Sequence, residues 1–261
     1  MRRLCLLIFV SNILFSQPES QAQASAEPDL PAILEKMAAH NRMRQRVLAT
    51  YSVDREYEIE NKRVKKKATL TATMIYIAPD EKIFETTSFS GSGFLRKAVL
   101  NRLMETERQN AQGEFRVNSA ISPDNYAFAF VRQEMCDDRL MYVLRATPKK
   151  KNDILFEGLI WVDAEDFAVT RVEGRPAKNP SFWIKKVNFA HQYAKFGDFW
   201  FPVKNTSVTS VRIFGSTTAE ITYKNYIINQ PSLLEMAALM RKNPVKLETQ
   251  MPPTDEKNGG R

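Results

Sequence analysis

Asp163, Glu165 and Asp166 lie almost side by side in the chain. Carboxylates held several ångströms apart can share acid and base work. These three fall in a short hairpin connection, where Asp more often serves the turn by accepting from nearby backbone N–H groups. The structural use is favoured; a hydrolase acting on an envelope polymer through Asp163 or Glu165 is the rival. Cys136 and His191 are a second pairing to weigh. Asp137 and Asp138 follow the thiol directly and disfavour its thiolate. Gly91-Ser92-Gly93 lacks the second spacer of a Gly-x-Ser-x-Gly elbow and reads as a hinge. His40 and His191 are the only histidines, and neither Cys-x-x-Cys nor His-x-x-x-His occurs. Closely spaced ligands are what a metal needs, so no metal or other cofactor is expected, no catalytic residue is assigned, and the chain is not read as an enzyme.

Two further groups of residues could recognise a partner. Lys65, Lys66 and Lys67, beside Lys62 and Arg63, and Lys149, Lys150 and Lys151 form basic runs at expected hairpin ends. They lack the interleaved aromatics that nucleic acid favours, so nucleic acid is not expected. Anionic lipid headgroups suit them better, at about 1 kcal/mol per basic residue; solvated strand ends that resist edge pairing are the alternative. The other group is aromatic. Trp161, Phe182, Trp183 and Trp200 sit in expected strands. Ile154–Phe156 and Leu159–Val162 are apolar on both faces, which calls for cover on both sides or an apolar cavity on one. These four are candidates for core or cavity lining.

The elements that position them follow from periodicity. Leu30 to Leu48 has apolar residues at helical spacing, with Asp29 placed to cap and Pro31 in the first turn. Period 2 then takes over: strands are predicted at 51–59, 68–77 and 82–90. Residues 94–111 have a helical apolar set that includes Leu95 and Val99, the candidate lid over a cavity. Seven more strands follow, at 126–134, 140–146, 154–163, 167–173, 182–193, 199–214 and 218–228, and then a short helix at 231–242. The expected fold is α+β: about ten antiparallel strands in one curved sheet, an incomplete barrel, covered by two or three helices. Residues 27–242 make one domain, and 243–261 a disordered tail.

The chain has 261 residues, 43% hydrophobic and 26% charged, with a net charge of +8. This excludes a disordered chain, a fibre and a polytopic membrane protein. Arg2 and Arg3 precede an apolar run from Leu4 to Phe15, and Ala22-Gln23-Ala24 and Ala24-Ser25-Ala26 follow. That order is a secretory signal peptide over 1–26; the run is short of the roughly 20 residues of a spanning helix. An uncleaved anchor is the alternative. Cleavage removes Cys5 and leaves Cys136 alone, so no intrachain disulfide is expected. The location expected is periplasmic.

Gly158-Leu159-Ile160-Trp161-Val162-Asp163 followed by Phe167-Ala168-Val169-Thr170-Arg171-Val172-Glu173-Gly174 resembles a hairpin of the outer-membrane lipoprotein-sorting proteins, the LolA/LolB-like superfamily. Gly197-Asp198-Phe199-Trp200-Phe201-Pro202-Val203 looks like the strand that comes after it. The resemblance implies a concave apolar cavity for acyl chains and a carrier or binding protein for a lipid or lipidated partner, without bond chemistry. Burial yields about 0.8 kcal/mol per CH₂, so a twelve-carbon chain contributes on the order of 10 kcal/mol before ordering costs. A sensor of the same fold that binds a protein partner is the alternative; a monomer is expected.

Overall fold

The computed structural model describes residues 28–93, 113–179, 184–212 and 215–242. Helix α1 covers Leu30–Val47. Asp29 occupies its N-cap position, but only its carbonyl takes part, accepting from the Ile33 N–H, and its side chain makes no cap bond. Strands β1 (Thr50–Asn61), β2 (Lys66–Ile77) and β3 (Glu81–Gly91) come next. A short helix α2 (Gly113–Ser119) precedes β4 (Tyr126–Cys136) and β5 (Arg139–Pro148). Then come β6 (Phe156–Asp163), β7 (Val169–Pro176), β8 (Ile184–Phe196), β9 (Phe199–Val211), β10 (Gly215–Ile228) and helix α3 (Ser232–Lys242). All ten expected strands are present.

The strands form a single antiparallel sheet in the order β3-β2-β1-β10-β9-β8-β7-β6-β5-β4. β1 and β10, the two ends of the strand series, pair inside the sheet as its third and fourth strands, and β3 and β4 are left as edges. The sheet is therefore open, not a closed barrel. The start of β1 and the end of β10 are fastened together at one point. The Asn229 side chain accepts from the Ala49 and Thr50 N–H groups and donates to the Val47 carbonyl, and the Asn229 N–H reaches the Thr50 carbonyl.

Alternation sorts each strand into two faces. Tyr51, Val53, Tyr57 and Ile59 of β1 lie in one buried cluster with Leu70, Met74, Phe201, Ile221 and Tyr223. Leu144, Ile160, Val162 and Val172 form a second cluster with Ile33 and Met37 of α1. The face carrying both is the inner face. Rings from strands two apart, whose backbones are about 9.6 Å apart, meet on it. Tyr51 of β1 and Phe201 of β9 have centroids 4.8 Å apart, Tyr126 of β4 and Phe156 of β6 5.1 Å, and Phe156 and Phe189 of β8 5.7 Å. The inner face is thus concave. On the outer face Ala237 and Met240 of α3 pack on Ile75. Between the edges, Arg116 of α2 donates to the Pro79 carbonyl of the β2–β3 turn at 2.9 Å, so α2 links the β4 side to the β3 side.

Gly158 and Gly174 face each other across β6 and β7. A Cβ at Gly158 would run into the Glu173 carbonyl, and one at Gly174 would lie 2.6 Å from the Glu157 carbonyl. Close approach of two backbones is what glycine permits here.

Candidate functional site

The inner face is built from aromatic residues held at fixed register. Around Tyr51 stand Tyr76 (5.2 Å between centroids), Phe201 and Tyr226. Phe196 and Phe199 extend the group along β8 and β9. Burial raises the Tyr226 hydroxyl far above its ordinary range, and that hydroxyl donates to the Pro202 carbonyl at 2.6 Å. Helix α1 covers part of this face: Arg44 lies 5.4 Å over the Phe201 ring and Lys36 4.6 Å over Phe167. One helix is about 10 Å across, whereas ten strands at about 4.8 Å span more than 40 Å. Phe84, Phe89, Phe128, Phe130, Phe156 and Phe189 are accordingly half-buried rather than sealed.

A polar island interrupts the aromatics. Arg55 is in phase with Val53 and Tyr57 and is only 4% exposed. Its guanidinium lies between Phe84 (5.2 Å) and Tyr223 (5.0 Å) and donates to the Tyr57 hydroxyl. Asn205 of β9 donates to the Tyr223 hydroxyl at 2.7 Å. Sequence reasoning missed Arg55. The available signal was its place on the apolar parity of β1, where a charged residue must be paired or stacked.

The acidic trio is committed to structure. Asp163 is fully buried; its Oδ1 accepts from the Glu165 and Asp166 N–H groups and from Arg139 Nη2, and its Oδ2 from Arg139 Nε. Burial opposes its ionisation, but the Arg139 and backbone donors outweigh that and hold the carboxyl below the usual range. Asp166 accepts from Trp200 Nε1 at 2.8 Å and from Lys195, which hold it low against the same burial cost. The β4–β5, β6–β7 and β8–β9 turns are thereby tied together. This is the turn role expected from the sequence, with an added partner in Arg139.

The remaining expected residues fall as follows. Trp161 packs with Met141 and Val143 on the outer face and donates to Glu134, with Arg171 stacked on it at 4.9 Å. Trp200 lies between inner-facing Phe199 and Phe201, turned to Asp166 and Arg139. The structure thus places both Trp161 and Trp200 off the concave face. The reason is parity: Ile160 and Val162 take the inner side of β6, and Phe199 and Phe201 that of β9. Phe182, Trp183, Leu95 and Val99 lie outside the described residues, as do 1–27 and 243–261. Lys65, Lys66, Lys67, Lys149, Lys150 and Lys151 are all exposed. Cys136 is on the outer face and His191 on the inner face, so the sheet separates them; burial and Glu134 push the thiol up. Among the described residues no group of three or more His, Cys, Asp or Glu could hold a metal ion.

A family model described as "Family of unknown function (DUF5686)" matches residues 79–229. That is more than half of the chain, and the protein belongs to this family. No curated protein matches it. Among solved structures, the chain is similar to a Vibrio parahaemolyticus protein described as an outer membrane lipoprotein-sorting domain: 11% identity, TM-score 0.41, 75% of this chain and 92% of that one. It is also similar to a LolA superfamily protein from Nitrosomonas europaea (12%, TM-score 0.36, 78% and 95%). A DUF1329 family protein from Desulfovibrio piger is a third (12%, TM-score 0.42, 78% and 95%).

Proposed function

We propose that this is an exported, non-catalytic binding protein of the cell envelope, working in the periplasm, whose concave sheet face shelters the acyl chains of a lipid or lipidated protein. The observation that supports it most is the half-buried aromatic strip on that face, running from Phe84 and Phe89 on one edge to Phe128 and Phe130 on the other. Such a surface binds by area, at about 25 cal/mol per Å² buried, and needs no exact polar constellation. The signal-like order of the first 26 residues supplies the export. The carboxylates that could have done acid–base work are engaged by Arg139, Lys195 and Trp200 instead.

The test is titration with a fluorescent fatty acid. Wild type binds it saturably. Phe89→Ser with Phe130→Ser, both half-buried on edge strands, lowers affinity by tenfold or more while the fold persists. Equal affinity in the folded double variant, or no binding in wild type, contradicts the reading.

A further inference from the structure

The two lysine runs are far apart in sequence yet meet in space. In the antiparallel sheet β1, β5, β7 and β9 run in one direction, and their ends lie on one side. The β1–β2 turn there brings Lys62, Arg63 and Lys65, with Lys66 and Lys67 opening β2. The β5–β6 turn brings Lys149, Lys150 and Lys151. Lys178, Lys185 and Lys186 flank the β7–β8 connection, and Arg212 follows β9. All are exposed; among the described residues the acidic ones at this end are Glu58 and Glu60 of β1, with Glu58 paired to Lys67 at 2.8 Å, Asp124, Asp153 and Glu157, so cations remain in clear excess. The opposite end is mixed. Its turns hold Asp80, Glu81, Asp137, Asp138, Asp163, Glu165, Asp166 and Asp198, against Lys82, Arg139 and Lys195 and the nearby Arg44, Arg46, Arg116, Arg241 and Lys242, of which Arg241 pairs with Glu81.

We infer that the basic end of the sheet is a docking surface for an anionic lipid bilayer. At about 3.3 Å per residue the ends are about 40 Å apart along β1, which has 12 residues, and about 26 Å along β6, which has eight; the gap narrows at the sheet edges, where Arg116 of α2 reaches Pro79. Screening acts over about 8 Å at physiological salt; each end therefore presents its own field. The molecule is a dipole that a negative surface turns one way, basic end first. Val64, 40% exposed, stands at the tip of the β1–β2 turn between Arg63 and Lys65. An apolar tip ringed by cations suits a headgroup layer over hydrocarbon better than it suits a dissolved polyanion. The inference rests on the envelope reading for access to a membrane and is independent of what occupies the inner face.

The experiment is flotation of the full-length mature protein with vesicles of phosphatidylcholine alone or with 30% phosphatidylglycerol. Wild type is expected to float with the anionic vesicles only, and to be released by 0.5 M salt. Lys62→Gln, Lys65→Gln, Lys150→Gln and Lys151→Gln together lower partitioning by on the order of several hundredfold, at about fivefold per basic residue. A control loses the same charge elsewhere: Arg42→Gln, Arg46→Gln, Lys204→Gln and Lys224→Gln leave it within a few-fold. Equal losses in the two variants would reduce the effect to net charge and overturn the surface. Equal flotation with neutral vesicles overturns it too, as does full release by millimolar inorganic phosphate, which would mark a free-anion site. Fatty-acid titration of the first variant separates the two readings. Retained acyl binding with lost flotation supports the docking surface; retained flotation in that variant overturns it, whatever the titration gives.

Discussion

Arg139 holds Asp163 across two hairpin ends, with Nη2 2.6 Å from Oδ1 and Nε bonded to Oδ2. The carboxylate is fully buried and the guanidinium half-exposed. Removing the cation leaves an uncompensated buried charge, which is costly. Arg139→Ala is expected to destabilise the protein by about 3 kcal/mol. Arg139→Lys recovers only part, because an ammonium lacks the two-pronged fork. Urea unfolding midpoints check both; a loss below about 1 kcal/mol in the alanine variant would contradict the account.

The same carboxylates set an acid limit. Asp163 and Asp166 have lowered folded-state values, because their donors outweigh the burial that opposes ionisation. Below the usual carboxylate value the unfolded chain binds these protons more readily than the folded one. Their contribution is therefore present above about pH 4 and is lost as pH falls through the lower folded values. Stability should drop as pH falls below about 4, and less steeply in Asp163→Asn. Identical slopes for wild type and variant in pH-dependent denaturation would remove Asp163 as the source.

Gly158→Ala puts a methyl group against the Glu173 carbonyl of the paired strand. Backbone cannot yield as a flexible side chain does, so the β6–β7 ladder must open locally. The expected cost exceeds about 2 kcal/mol, with faster amide exchange at Gly174 and Arg175. Gly197→Ala, at a turn with nothing within 4 Å but a positive φ of 60°, should cost only about 1 kcal/mol. A reversed order in thermal unfolding would contradict the packing described here.

Asn229 serves three backbone groups at the junction of α1, β1 and β10 with one side chain. Its φ of 52° also lies in the left-handed region that Asn tolerates. Asn229→Ala loses both features and should destabilise by about 2 kcal/mol. Asn229→Gly keeps the backbone freedom and should recover part of it. Equal losses in the two would assign the whole effect to the side-chain bonds.

Much of the architecture could be read directly. Alternation over 51–59, 68–77 and 82–90 placed the first strands, because period 2 is local. The faces of β6 were not legible. Leu159, Ile160, Trp161 and Val162 are all apolar, so parity alone could not say which side was inside, and the register shift at Trp161/Val162 is a pairing property. The Asp163 turn was legible; its partner Arg139, 24 residues away, was not, since long-range pairing leaves no periodic mark. The two lysine runs were visible singly. That they share an end follows only from the strand order.

Native mass spectrometry of the mature protein, purified from the periplasm without detergent, tests acyl binding by the inner face. The account predicts added mass matching a fatty acyl chain, a phospholipid or a lipopeptide, released by organic extraction and diminished in the Phe89→Ser, Phe130→Ser variant. A bare polypeptide mass in a folded sample, or a co-purifying protein with no lipid, would contradict it.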